Sequence, residues 1–370
     1  MKRVLQIIDH LHLGGAQAVL LDLVTLMDQS EWQCEVASMH GRGIFAELLE
    51  ERGIKVHELS PCLWPPRYLT AFVRLQSQFD LLHFHLSGSN WIAKPLAALT
   101  GSQPRIAHDH ASADLRFRGI GSVFIDAIMH RFSSHTIAVA PEVKQFLTHY
   151  EALSAESISI ISNGVNTTDF HPCTLEEKKE ARTFFNLPPE AYVVGTAGRL
   201  APEKNQQMLL QAAAKARERG CTAVFVIAGT GPEEHSLREL AAQLGIVDAV
   251  RFLGQVQHRV QFYHALDLFV LTSRYEGLPM VLLEAIASGI PVVSTDLEGI
   301  HHALEGGRYG TLIPLDDVEA LTRIFDFSQE KQPHLLLHAR QKVENDFSAK
   351  NATRKLENLY RSLVSARSNG

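Results

Sequence analysis

Short runs of apolar and β-branched residues recur along this chain, most of them followed by a stretch whose apolar positions repeat at helical spacing. In the first half, residues 4–8, 33–38, 55–58, 81–85, 105–108 and 136–139 read as strands. Helices are predicted between them, from the glycine pair to about Met27 and over 44–53, 68–78, 91–99 and 117–132. Residues 157–162 read as a further strand that closes in the tight turn Asn163-Gly164. The run from His171 to Glu180 is polar and charged and reads as a hinge. Beyond it the alternation restarts, with strands at 193–196, 224–228, 250–253, 268–272, 291–294 and 311–313. Helices are predicted there at 206–219, 233–244 and after Pro279, and a last one at 349–366 carries Leu356, Leu359, Tyr360 and Leu363 on one stripe. Strand–helix alternation with short joints predicts α/β class and doubly wound, mostly parallel sheets. The restart predicts two such domains, 1–170 and 171–348, with 349–370 as a helix returning to the first.

One stretch organises the rest. Residues 266–295 read as a buried strand, a polar loop, a helix, a glycine stop and a second buried strand. Pro279 fits the first helical position, where its missing N–H costs nothing, and Gly289 fits the left-handed position after the last turn. The helix therefore starts at the carboxyl end of a strand, where open α/β sheets bind ligands. Its free N–H groups, near Met280 and Val281, are placed to hold a phosphate. Glu276 and Glu284 flank that anion site, where a carboxylate repels phosphate and needs another task. Accepting hydrogen bonds from sugar hydroxyls is one; the alternative is a loop charge and a solvated helix residue.

Other positions join the same edge. Arg199 ends the strand at 193–196 and Lys204 opens the next helix, so the pair could neutralise a diphosphate or form a surface salt bridge with Glu203. Gly229 and Gly231 end the strand at 224–228; Glu234 stands where a dinucleotide fingerprint has its third glycine, leaving a tight loop walling a nucleotide pocket or a plain turn. Gly14 and Gly15 let backbone approach an anion after the first strand. Histidines pair at His10/His12, His83/His85 and His108/His110, all near strand carboxyl ends. Alternate spacing puts each pair on one face, so a metal has to be considered, but no pair has a third ligand at a recognised zinc spacing. The basic amphipathic stretch 115–132 suits core packing or an anionic membrane surface.

Composition narrows the classes. With 45% hydrophobic and 21% charged residues the 370-residue chain is globular in type, and a net charge of −6 argues against a nucleic-acid binder. No apolar run nears the roughly 20 residues of a membrane span. Four scattered cysteines suit a reducing compartment, so a cytoplasmic location is expected, with peripheral contact at the inner membrane face left open. Oligomeric state is not encoded in these patterns.

Taken in order, these motifs resemble glycosyltransferase family 4, the retaining group with the GT-B fold of two Rossmann-like domains facing a cleft. Gly14-Gly15-Ala16-Gln17 is similar to the family's early glycine loop, commonly Gly-Gly-Ala-Glu, from which Gln17 departs. Residues 161–166 with Phe170 resemble the turn that closes the first domain, and Gly198-Arg199-Leu200 with Glu203-Lys204-Asn205 resembles the diphosphate segment. Glu276 and Glu284 fall on the paired glutamates. The resemblance implies that Arg199 and Lys204 neutralise the diphosphate of a nucleotide-sugar, which Gly15 approaches from the first domain. Glu276, with the backbone at Gly277 and Leu278, would hold the donor sugar, and Glu284 the ribose. His110, beside His108, matches a histidine that contacts the donor sugar. It further implies retaining, metal-independent transfer from a nucleotide-sugar, by default a UDP-sugar, to a saccharide or lipid-linked saccharide in cell-surface polysaccharide, lipopolysaccharide or glycolipid assembly. A sugar-nucleotide epimerase on the same fold and a silent scaffold subunit are the alternatives.

Overall fold

The computed structural model describes residues 1–12, 14–59, 66–109, 120–326 and 333–368. The chain divides into two compact units, Met1–Gly164 with Ala349–Gly370, and Val165–Ser348. The passage from one to the other falls between Gly164 and Val165, and the hydrogen-bonded turn near it lies at Asn166–Phe170, not at Asn163-Gly164.

The first unit is built on strands β1 (Lys2–Ile8), β2 (Trp32–Ser38), β3 (Lys55–Glu58), β4 (Leu81–His85), β5 (Arg105–Asp109), β6 (His135–Ala138) and β7 (Ile158–Ile160). They form one parallel sheet in the order β3-β2-β1-β4-β5-β6-β7. Alternation along each strand sorts the two faces. Leu5, Ile7, Ala37, Leu82 and Phe84 pack with Phe72, Leu75, Phe79, Ala93 and Ala97 in one apolar layer. The opposite face is polar at its centre: Gln6 pairs in register with His83, and His85 with His108, and all four are buried. The last helix, Ala349–Ser368, packs beside Gly15–Leu26 and places Tyr360 on that polar row. The fully buried Tyr360 hydroxyl accepts from Gln6 Nε2 at 2.9 Å and lies 2.6 Å from His83 Nδ1. Its ring meets Trp32 edge-on, with centroids 5.4 Å apart. Burial holds this hydroxyl well above the usual tyrosine range, so it remains a proton donor.

The second unit repeats the plan with β8 (Val193–Ala197), β9 (Val224–Ala228), β10 (Val250–Gly254), β11 (Leu268–Leu271), β12 (Val292–Thr295) and β13 (Thr311–Ile313), ordered β10-β9-β8-β11-β12-β13 and parallel throughout. Helices cover both faces, which is why β9 reads as an unbroken apolar run, Val-Phe-Val-Ile-Ala, buried at every position. Strand order reverses between β8 and β11, and ligands of open sheets bind at such a reversal.

Two expectations are corrected. The charged run after His171 is not a hinge throughout: Leu175–Phe184 is a helix, closed at its start by a capping box in which Thr174 and Glu177 each accept from the other's backbone N–H. Its outward face is polar, which hid the helix, while Lys178 and Arg182 turn inward onto Asp267 at 2.5 and 2.6 Å. Pro279 is the residue before its helix, not the first inside it; the helix is Met280–Ala287. Gly289 takes the left-handed conformation, φ 71°, that its position requires. Helices at Pro141–Tyr150, Arg259–His264, Glu298–Leu304, Val318–Asp326 and Pro333–Asp346 add to those read from the pattern. No helix among the described residues is long and apolar enough to cross a membrane.

Two stability outcomes follow. Tyr360→Phe removes the hydroxyl shared by Gln6 and His83 inside the core and should cost about 1–3 kcal/mol in urea unfolding; a change under about 0.5 kcal/mol would show that the polar row repacks. Burial raises the Asp267 carboxyl, but Lys178, the Val193 N–H and Arg182 outweigh it and hold the group below its ordinary value. A carboxyl depressed by folding stabilises fully above its unfolded value near 3.8 and loses that contribution as pH falls through the folded one. Asp267→Asn should therefore flatten the acid limb of the stability curve below about pH 4, and an unchanged limb would refute this account.

Candidate functional site

The loops after β8 and β11 lie side by side at the reversal of the second sheet and are stitched together by backbone. Arg274 N–H donates to Glu203 O at 2.8 Å, and Thr272 Oγ1 to Lys204 O at 3.0 Å. After β8 the chain makes a short 3-10 turn, Pro202–Lys204, and Asn205 reverses it in the left-handed region at φ 51°. Asparagine tolerates that region, and its Nδ2 is anchored on Asp316 Oδ1 at 2.9 Å. The turn aims Lys204 across at Glu276, with Nζ 2.7 Å from Oε1. Ser273 Oγ donates to the same oxygen at 2.6 Å. Lys204 and Glu276 are thus brought together, partner to partner. Arg199 stands on the same loop with its side chain in solvent, and its carbonyl accepts from Gln206 Nε2 at 3.0 Å.

Glu284 belongs to a separate group. The reading of it as a solvated helix residue is overturned: it is 3% exposed. Arg259 Nη2 donates to its Oε1, and Tyr263 OH lies 2.7 Å from Oε2 and 3.2 Å from Val281 O. Burial, then the negative charge of Glu284, pushes the Tyr263 hydroxyl well up, so it stays a donor to that carboxylate. The two glutamates therefore have different partners, one facing the β8 loop and one beneath the first turn of Met280–Ala287. The first backbone bonds of that helix run from Leu282 and Leu283 back to Pro279 O, leaving the Met280 and Val281 N–H groups ahead of its ladder.

Glycines keep these loops close. A Cβ on Gly229 would sit 1.8 Å from Gly198 O, and one on Gly231 2.3 Å from Leu200 O. Their role is therefore close backbone packing of the β9 loop onto the β8 loop that carries Arg199. Gly299 does the same for the other side, where a Cβ would lie 2.0 Å from Gly277 O. By contrast, among the described residues nothing lies within 4 Å of a Cβ built on Gly277 or Gly15. Arg259, Tyr263 and Gly299 escaped the reading of the sequence because their partners lie on other elements, and Ser273, whose partner Glu276 is three positions on in the same loop, because no motif marks it.

In the first unit, Gly15 opens the helix Gly15–Leu26, with Gly14 in extended backbone before it. Gln17, the departure from the family pattern, folds back so that its Nε2 donates to His10 O at 3.1 Å. His83, His85 and His108 gather with ring centroids 4.2 to 5.2 Å apart. The His83 and His108 planes stack, parallel within 7°, and the three histidines each bring a ring nitrogen within 4.8 Å of the others, so the third histidine that the sequence spacing did not show comes from the neighbouring strand. Asp109, His130 and Glu151 also converge. Beside them Lys94 is fully buried; burial pushes its amine down to about 7 against the pull of Asp126, Asp109 and Glu151. That cluster carries its own counter-charge. His110 lies outside the described residues.

Comparison with known proteins agrees with this geometry. The family described as Glycosyltransferase Family 4 matches residues 13–169, and Glycosyl transferases group 1 matches residues 177–333. The D-inositol 3-phosphate glycosyltransferase of Saccharomonospora viridis is 31% identical over 315 residues, 78% of this chain and 71% of that protein. The lipopolysaccharide core biosynthesis mannosyltransferase LpsB of Rhizobium meliloti is 29% identical over 216 residues, 56% of this chain and 61% of its own. HepE of Anabaena, solved with UDP and glucose, superposes with a TM-score of 0.86 at 20% identity, covering 98% of this chain and 100% of that one. Two Rossmann-like units, the matched families over both halves and this level of identity place the chain in glycosyltransferase family 4, with the GT-B fold.

Proposed function

We propose that this glycosyltransferase moves a sugar from a nucleotide-sugar, a UDP-sugar, to an acceptor hydroxyl with retention at the anomeric carbon. The observation that carries the reading is the Lys204–Glu276 pair at the sheet reversal, beside the first turn of Met280–Ala287. A cation able to meet a diphosphate and an acid able to meet sugar hydroxyls are held within one hydrogen bond of each other. In this reading the diphosphate takes Lys204, Arg199 and the N–H groups of Met280 and Val281. Donor hydroxyls take Glu276 and the backbone at Gly277 and Leu278, and the ribose takes Glu284. Gly229 supports the diphosphate loop by its packing.

As the glycosidic bond breaks, negative charge grows on the leaving diphosphate. Fixed cations and helix N–H groups stabilise it without reorganising, so transfer runs without a divalent metal. HepE, which shares the fold, is solved with UDP-glucose, and this supports uridine as the base. LpsB, named for lipopolysaccharide core biosynthesis, supports a saccharide or lipid-linked acceptor in cell-surface polysaccharide or glycolipid assembly. Free thiols at Cys34 and Cys221 support a cytoplasmic setting. Phe124, Ile125 and Ile128, all exposed on the helix Ile120–His130, support a peripheral contact with membrane.

Two measurements test the assignments. Arg199→Ala combined with Lys204→Ala should weaken UDP binding in EDTA by roughly a hundredfold and UMP binding far less; equal losses would move the diphosphate elsewhere. Glu276→Ala should lower turnover by roughly a hundredfold or more through misplacement of the donor sugar. The same change frees Lys204 from its internal partner, so UDP affinity should hold or tighten, and unchanged turnover would remove Glu276 from the site.

A further inference from the structure

We propose that Arg259 is the positioning residue that makes Glu284 an acceptor for two hydroxyls at once, and thereby gives this protein a preference for ribonucleotides over 2′-deoxyribonucleotides. The inference rests on the donor-binding reading above and adds a residue and a specificity to it.

Each oxygen of an ionised carboxylate accepts about two hydrogen bonds. On Glu284, Arg259 Nη2 takes one position on Oε1, and Tyr263 OH takes one on Oε2 at 2.7 Å. Among the described residues this leaves one acceptor position per oxygen, which suits the paired 2′ and 3′ hydroxyls of ribose. A 2′-deoxyribose offers only one. Glu284 is 3% exposed, and a charge that deep needs a counter-charge. Tyr263 is neutral, so the guanidinium provides it.

Arg259 is itself held in orientation. It opens the short helix Arg259–His264, where a cation opposes the helix dipole, so its placement reflects the carboxylate it meets. Its guanidinium carbon lies 5.1 Å above the Phe170 ring, and that ring meets Tyr263 edge-on at 5.7 Å. Phe170, Arg259, Tyr263 and Glu284 therefore form one cluster. Removing the guanidinium frees the carboxylate to rotate toward solvent and spoils its fit to the diol.

The test titrates wild type, Arg259→Met and Arg259→Lys with UDP and dUDP, with GDP/dGDP and ADP/dADP in parallel, and records thermal unfolding of each variant. The diphosphate that binds wild type should beat its 2′-deoxy form by about tenfold or more. In Arg259→Met that ratio should fall to within about twofold of unity. Arg259→Lys, which keeps the charge but not the fork, should recover part of the ratio and keep the wild-type unfolding temperature. If Arg259→Met does not fold, Arg259→Gln, which keeps Glu284 and a polar side chain beside it but not the charge, takes its place, and the ratio should fall there too. The same ratio in wild type and in every folded variant overturns the inference and leaves the donor reading standing. Failure of wild type to bind any of the six overturns the donor reading, and the inference with it.

Discussion

A lysine and a glutamate 2.7 Å apart join the two loops at the sheet reversal of the second unit. Parallel sheets that reverse their strand order leave the loops on either side of the reversal to diverge, and something must set their separation. Here backbone hydrogen bonds from Thr272 and Arg274 draw the two loops together, and Lys204 closes the gap to Glu276. Such a partly exposed pair contributes little to stability by itself, on the order of 1 kcal/mol or less. Its consequence is positional: cation and acid are held together, and under the proposed donor reading less ordering is left for binding to accomplish.

Backbone proximity is the second constraint. Gly229, Gly231 and Gly299 stand where the carbonyls of Gly198, Leu200 and Gly277 leave no room for a side chain. These contacts keep the β8, β9 and β11 loops in a thin layer over the sheet end, so that Arg199 and the start of Met280–Ala287 stay near the Lys204–Glu276 pair. Glycine thus does two different things in one unit. At those three positions it permits close packing, whereas at Gly277 the space a Cβ would take is empty among the described residues.

The first unit places its polarity differently. Its sheet buries a row of Gln6, His83, His85 and His108 on one face, completed by Tyr360 from the far end of the sequence. The paired spacing of His83 and His85 showed that they share a face, and the register brings His108 beside them. Nothing local showed that a tyrosine some 280 positions away would share its hydroxyl with that row. The helix at Leu175–Phe184 teaches the opposite lesson: its capping box, Thr174 to Glu177, stood in the sequence, but a polar surface concealed it.

What the sequence determined by itself is what short-range patterning encodes. The alternation of apolar runs and helical stripes specified two doubly wound parallel sheets. Gly289 marked a helix end because a left-handed residue is needed there, and the order of the glycine, Arg199–Lys204 and Glu276–Glu284 motifs specified the family. Only the tertiary structure decided which partners those motifs meet. Glu276 is paired with Lys204 because β8 and β11 are neighbours at the sheet reversal. Glu284 is buried against Arg259 and Tyr263 because a six-residue helix, unmarked in the sequence, packs under its own. Partnership of this kind depends on contacts between segments far apart in the chain, and no periodicity within either segment records it.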